Sequence, residues 1–126
     1  MSSLKSDPNF ILLYVKSPTA SAAFYADLLG KPAVEASPTF AMFALNSGVV
    51  LGLWAAHTVM PAANAPGGGE IAFTVDGVAA VNDWFAAWQA KGLPIAQTPT
   101  AMDFGHTFVA LDPDGHRLRV FAPGAD

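Results

Sequence analysis

The sequence contains no cysteine, which removes disulfides, thiolate-held metals, iron–sulfur clusters and a cysteine nucleophile together. Charge is scarce too: Asp, Glu, Lys and Arg make up 13% of 126 residues, about half of the roughly 25% usual in soluble proteins. The six basic residues are outnumbered by ten acidic ones, for a net charge of −4, and they are dispersed as Lys5, Lys16, Lys31, Lys91, Arg117 and Arg119. Without a basic stripe the chain cannot follow a phosphate backbone, so no nucleic-acid partner is expected. No apolar run reaches the about 18 residues of a membrane span, and residues 1–10 lack the apolar stretch of a signal peptide. The expectation is a cytoplasmic protein with no membrane partner.

What is present is apolar. Hydrophobic residues account for 52% of the chain, in a length that suits one domain. A domain of this size still exposes about a third of the surface of its unfolded chain. With so few charges, part of that surface must be apolar and meet a partner subunit or a ligand.

One pattern occurs twice. Residues 10–15 (FILLYV) form a short apolar, β-branched and aromatic run that reads as a buried strand. Ser17 as N-cap and Pro18 as first helical residue open a helix over 18–29, with Ala20, Phe24 and Leu28 along one side and Gly30 and Pro32 ending it. Strands at 40–45 and 49–55 then flank the turn Asn46-Ser47-Gly48. In the second half, 71–75 reads as a strand, Asp76 as an N-cap and 78–91 as a helix stopped by Gly92 and Pro94. On that helix Trp84 and Trp88 read as core or dimer packing. Strands at 107–111 and 116–121 flank Asp112-Pro113-Asp114-Gly115, a tight-turn sequence. The offset between halves is 60 residues at Ile11 and Ile71, and 67 at both Gly48 and Gly115 and Trp54 and Phe121. The halves therefore match with a seven-residue insertion in the second. This predicts one domain over 1–126, with module one at about 8–58, a Pro/Ala/Gly-rich linker at about 59–69 and module two at about 70–123.

The order strand, helix and hairpin, with Phe24-Tyr25 and Leu29-Gly30 on the first helix and Asp112-Pro113-Asp114-Gly115-His116 before the last strand, resembles the glyoxalase, bleomycin-resistance and extradiol-dioxygenase superfamily, the vicinal oxygen chelate proteins. The resemblance implies an α+β fold: two tandem βαβββ modules forming a curved mixed sheet around a cleft, with helices on the outer face. It also implies a homodimer whose cleft is built from both chains. In the superfamily's metalloenzymes four ligand positions lie on the first and last strands of each module. Carried over by motif they fall on Phe10, Gly52, Glu70 and Arg119, of which only Glu70 is a metal ligand by chemistry. No metal and no cofactor are expected. Of the three histidines, His57 reads as an exposed loop residue, His116 as a structural residue beside the turn, and His106 as a candidate ligand contact.

Alternation sorts the strands' side chains, since residues i and i+2 share a face. Leu118 and Val120 belong under the helix, which turns Arg117, Arg119 and Phe121 to the cleft. The same parity gives Val50, Gly52 and Trp54 in the first module, with Leu12 and Tyr14, and Glu70, Ala72 and Thr74 on the first strands. Phe40 is favoured over Phe43 for the cleft, and residues 100–106, with Phe104 and His106, are read as a lid. The candidate ligand-binding set is Trp54, Arg119, Glu70, Phe40, Tyr14, Gly52, Phe104, His106 and Phe121. The aromatics offer flat walls, Arg119 and Glu70 polar fixing, and Gly52 a gap for close approach of a planar ring.

Within the superfamily, residues 40–54, Glu70, Phe104-Gly105, Thr107-Phe108 and Arg119-Val120 are similar to the small proteins that confer resistance to phenazine antibiotics by binding them. The expected function is metal-free binding and sequestration of a planar aromatic small molecule. The alternatives are a glyoxalase-like lyase or isomerase with a rearranged metal site, an enzyme with Glu70 as general base, and an accessory dimerisation domain. An ion pair between Glu70 and Arg119 that serves no ligand is the competing reading of these two residues.

Overall fold

The structure is a computed structural model that describes residues 7–124; the first six positions of the polar N-terminal stretch lie outside the described residues. Two compact units divide between Ala65 and Pro66.

In the first unit β1 (Phe10–Val15), α1 (Pro18–Leu29), β2 (Glu35–Ala36), β3 (Phe40–Ala44) and β4 (Val50–Ala55) follow in order. The sheet order is β1-β4-β3-β2, with β1 parallel to β4 and the other pairs antiparallel. A parallel pair needs a crossover, which α1 supplies. The Oγ of Ser17 accepts the Ala20 N–H at 3.2 Å, Pro18 sits in the first turn, and Gly30 closes the helix at φ 69°, a left-handed conformation suited to glycine. The buried side of α1 is Pro18, Ser21 and Tyr25 rather than the expected Ala20, Phe24 and Leu28. Apolar residues nearly surround this helix, so the sequence pattern has no sharp stripe. Phe24 still contributes, half-buried and edge-on to Tyr25 at 5.0 Å.

The second unit runs β5 (Glu70–Thr74), α2 (Val78–Ala90), β6 (Ile95–Met102), β7 (Gly105–Leu111) and β8 (Arg117–Pro123), with sheet order β5-β8-β7-β6. Each unit is thus a βαβββ module with a four-stranded mixed sheet, the α+β fold expected from the sequence. Asp76 does not cap α2. Gly77 takes that position at φ 94°, with no side-chain cap, because the positive φ before the helix suits glycine and leaves Asp76 one residue outside.

Residues 100–106 are not a lid. They complete a β6–β7 hairpin in which Thr100 pairs with Thr107 and Met102 with Gly105. Pro99 and the polar residues around it disguise β6 as a loop. It is an edge strand with register shifts on both sides of Gln97, where a proline is tolerated.

Each helix packs on one face of its own sheet. Val15, Ala41, Phe43, Leu53 and Ala55 are fully buried in the first unit, and Phe108, Ala110, Leu118 and Val120 in the second, with Val81 of α2. Burying each large side chain contributes about 1.5–3 kcal/mol. Trp88 stacks edge-on against Phe73 at 5.4 Å and Phe108 at 5.5 Å, and Trp84 lies 5.8 Å from Trp88. Trp88 therefore belongs to the second unit's aromatic core, and Trp84, 37% exposed, packs against its edge. Asp112 fixes the turn before β8, its Oδ1 accepting the N–H groups of Asp114 and His116, both at 2.9 Å.

Candidate functional site

The face of each sheet turned away from its helix holds most of the candidate residues. In the first unit the register sets Phe10 beside Val50, Leu12 beside Gly52 and Tyr14 beside Trp54, with Phe40 opposite Trp54 and Met42 opposite Gly52. Phe43 is completely buried on the helix side, so Phe40 occupies the open face, as alternation indicates. Tyr14 and Trp54 meet edge to face at 6.3 Å. This surface is apolar, and Phe10 and Leu12 stand 44% and 45% exposed on it.

Gly52 is not a gap. A Cβ placed there would lie 2.7 Å from Leu12 Cδ2, 2.8 Å from Phe10 Cε1 and 3.1 Å from Phe40 Cζ. Three side chains lean over the glycine and occupy the space that the sequence reading left for a ligand. The missing side chain is used for internal packing.

In the second unit β5 and β8 align Glu70 with Arg117, Ala72 with Arg119 and Thr74 with Phe121. Arg119 donates from Nε to Glu70 Oε1 at 2.7 Å and from Nη2 to Oε2 at 3.0 Å, a bidentate ion pair. Its Nη1 donates to Gln97 Oε1 at 3.3 Å and Thr107 Oγ1 at 3.2 Å. Thr107 is fully buried and its hydroxyl donates to the Val120 carbonyl at 2.9 Å, so it is a fixed anchor for the guanidinium. Phe104, in the β6–β7 turn, lies 5.8 Å from Arg119 and edge-on to Phe121 at 5.9 Å. Arg117 approaches Glu70 Oε2 only to 3.7 Å.

The hydrogen bond from Arg119 holds the Glu70 carboxyl below its ordinary pKa of 4.5 against the opposing effect of desolvation, and Arg117 adds to the lowering. The same bond raises the pKa of Arg119. A carboxylate engaged at both oxygens and shifted downward moves away from the near-neutral pKa that suits a general base.

The structure therefore brings Glu70, Arg119, Phe104 and Phe121 together in the second unit, and Tyr14, Trp54, Phe40 and Gly52 together in the first. His106 is set apart. It pairs with Ala122, on the same side as Leu118 and Val120, so it points to the helix side of the sheet and away from Arg119. Alternation within β7 separates it from Thr107. His57 is exposed in the 3-10 turn Ala56–Thr58, and His116 is half-buried at the end of the Asp112 turn.

Two contacts of Arg119 were missed by the sequence reading. Thr107 was findable, since it shares parity with Val109 on a recognised strand. Gln97 was not, because β6 carried no strand signal.

The residues at the superfamily's ligand positions do not fit a divalent metal. Phe10 and Gly52 have no donor, Arg119 is a cation, and both oxygens of Glu70 are bonded to it. Among the described residues no three His, Cys, Asp or Glu side chains cluster to hold an ion, and no helix is long and apolar enough to cross a membrane.

Comparison with known proteins agrees with this architecture. The sequence model of the Glyoxalase/Bleomycin resistance protein/Dioxygenase superfamily matches residues 8–120. The phenazine antibiotic resistance protein EhpR of Enterobacter agglomerans is 28% identical over 116 residues, covering 90% of this chain and 89% of that protein. An Agrobacterium tumefaciens protein solved by NMR is 50% identical with a TM-score of 0.85, over 95% of this chain and 99% of that one. A glyoxalase-related enzyme from Fulvimarina pelagi is 25% identical with a TM-score of 0.80, over 94% and 88% of the two chains. With its tandem βαβββ modules and this match across most of its length, the chain belongs to the glyoxalase/bleomycin resistance protein/dioxygenase superfamily.

Proposed function

We propose that the protein binds and sequesters a planar aromatic small molecule, a phenazine-like antibiotic, without a metal, and so gives resistance. In this reading it works in the cytoplasm as a homodimer. The observation that supports it most is the open face of the first unit, where Trp54 is held edge-on by Tyr14 among Phe10, Leu12 and Phe40. Such a surface offers a flat ring broad contact, with about 0.5–1.5 kcal/mol per aromatic pair beyond the burial of area. The likeness to a phenazine resistance protein points the same way, and the donor set around Glu70 gives no foothold for metal-assisted chemistry.

The test is quenching of tryptophan fluorescence by phenazines, with and without a chelator. Saturable quenching that is indifferent to chelator, and weakened tenfold or more in Trp54→Ala, is expected. Trp88 is buried in the second unit's core, while Trp84 is 37% exposed, so the signal that Trp54→Ala leaves is the reference against which the Trp54 contribution is read. No quenching across a panel of planar aromatics would refute the binding reading, and stoichiometric uptake of Ni²⁺, Zn²⁺, Mn²⁺ or Fe²⁺ would refute its metal-free form.

A further inference from the structure

The two arginines of this chain stand in different states. Arg119 is spent internally: Nε, Nη1 and Nη2 all donate to Glu70, Gln97 or Thr107, and its side chain is only 18% exposed. Arg117 has a side chain 60% exposed and a single loose approach to Glu70 at 3.7 Å. Glu70, Arg117 and Arg119 together carry one net positive charge, and that charge is accessible at Arg117.

Arg117 also borders a depression of about 550 Å³ formed with Gly67, Gly68, Gly69, Gly115 and Glu70. No side chain closes it from the glycine side, since a Cβ added at any of these four glycines would meet nothing within 4 Å. Gly67 and Gly68 lie outside helices and strands, at φ 151° and 75°. Among the described residues, their N–H groups take part in none of the backbone hydrogen bonds of turns and loops. A depression lined by glycine backbone and one accessible guanidinium suits an oxyanion and offers little to an aromatic ring. The Glu70 carboxylate on its wall opposes this only weakly, because Arg119 engages both of its oxygens.

We propose that Arg117 and the glycine loop 67–69 form a binding site for the oxyanion of a small molecule, a carboxylate or a phosphate, and that Arg119 is a positioning residue that binds Glu70 and limits its hold on Arg117. The site is built from residues of the second unit alone and does not depend on the reading given to the first unit's aromatic face.

The test uses the whole protein labelled with ¹⁵N and titrated with acetate or inorganic phosphate at ionic strength held constant with sodium chloride. Saturable shifts of the Gly67, Gly68, Gly69 and Gly115 amides are expected, and the anion with the lower Kd distinguishes carboxylate from phosphate. Arg117→Gln, a change at an exposed side chain, is expected to raise that Kd tenfold or more. Gly69→Val, which adds bulk where there is space and no positive φ, is expected to do the same without changing charge. Glu70→Gln is expected to lower the Kd severalfold by removing the carboxylate that Arg117 still approaches at 3.7 Å. Shifts no larger than those caused by chloride alone, or binding that survives both Arg117→Gln and Gly69→Val, would overturn the proposal. Phenazine quenching has no part in this readout, so failure of one reading leaves the other standing.

Discussion

Glu70 is held by Arg119, its diagonal neighbour, and not by Arg117, its register partner: the two bonds to Arg119 measure 2.7 and 3.0 Å, the approach of Arg117 3.7 Å. The preference follows from what lies behind Arg119. Gln97 and Thr107 grip its Nη1, so the guanidinium is already oriented when it meets the carboxylate and little rotamer freedom remains to be lost. Arg117 has no comparable support and keeps its solvent.

This pair should make stability depend on pH in the acid range. The folded-state pKa of Glu70 is depressed, so the pair's contribution is complete above the ordinary glutamate value of 4.5 and is lost as pH falls through the lower folded value. For a partly exposed pair the contribution is about 1 kcal/mol. Urea denaturation of wild type and Glu70→Gln should show that difference at pH 7 and a smaller one at pH 3. An equal difference at both pH values would mean that the carboxylate's charge is not what stabilises.

Gly52→Ala should disturb the aromatic face more than the fold. The new Cβ collides with the ends of Leu12, Phe10 and Phe40, and Leu12 and Phe10 are half-exposed and free to yield, which keeps the destabilisation near the low end of overpacking, about 1 kcal/mol. Phe40 is the register partner of Trp54 and Leu12 shares a strand face with Tyr14, so phenazine affinity should fall severalfold with little change in thermal midpoint. A loss of several kcal/mol in stability would show that these side chains are locked.

Gly105→Ala should be far more damaging. At φ 144° an added Cβ runs into the Ala122 carbonyl oxygen, a backbone atom that cannot turn aside. Gly105 pairs with Pro123 at the start of the β7–β8 ladder, so relief would require parting the strands that carry Thr107 and Arg119. A loss above about 3 kcal/mol is expected by chemical denaturation. Near-normal stability would require a relaxed backbone at this position.

Much of the molecule was legible in the sequence because its signals are local. Ser17 with Pro18 and Gly30 bound the first helix, the Asp112 turn precedes the last strand, and period-two alternation assigned Arg119, Phe121, Gly52, Trp54 and Phe40 to the faces they occupy. The misses share a cause. β6 contains Pro99 and stands at an edge where pairing is irregular, β2 is only two residues long, and Gly77 displaced Asp76 through a backbone angle that composition does not encode.

Taken by itself, the sequence determined the doubled strand–helix–hairpin order, the family it resembles and the scarcity of charge that leaves two arginines and two glutamates in the whole chain, since periodicity, caps and counts depend on neighbours along the chain. Only the tertiary structure decided how those few charges are used. That Arg119 is consumed by Glu70, Gln97 and Thr107, that Arg117 keeps an accessible guanidinium beside the glycine loop, and that Gly52 is covered by Phe10, Leu12 and Phe40 all depend on distances between residues remote in sequence. Such distances are set when strands pair and side chains compete for the same space.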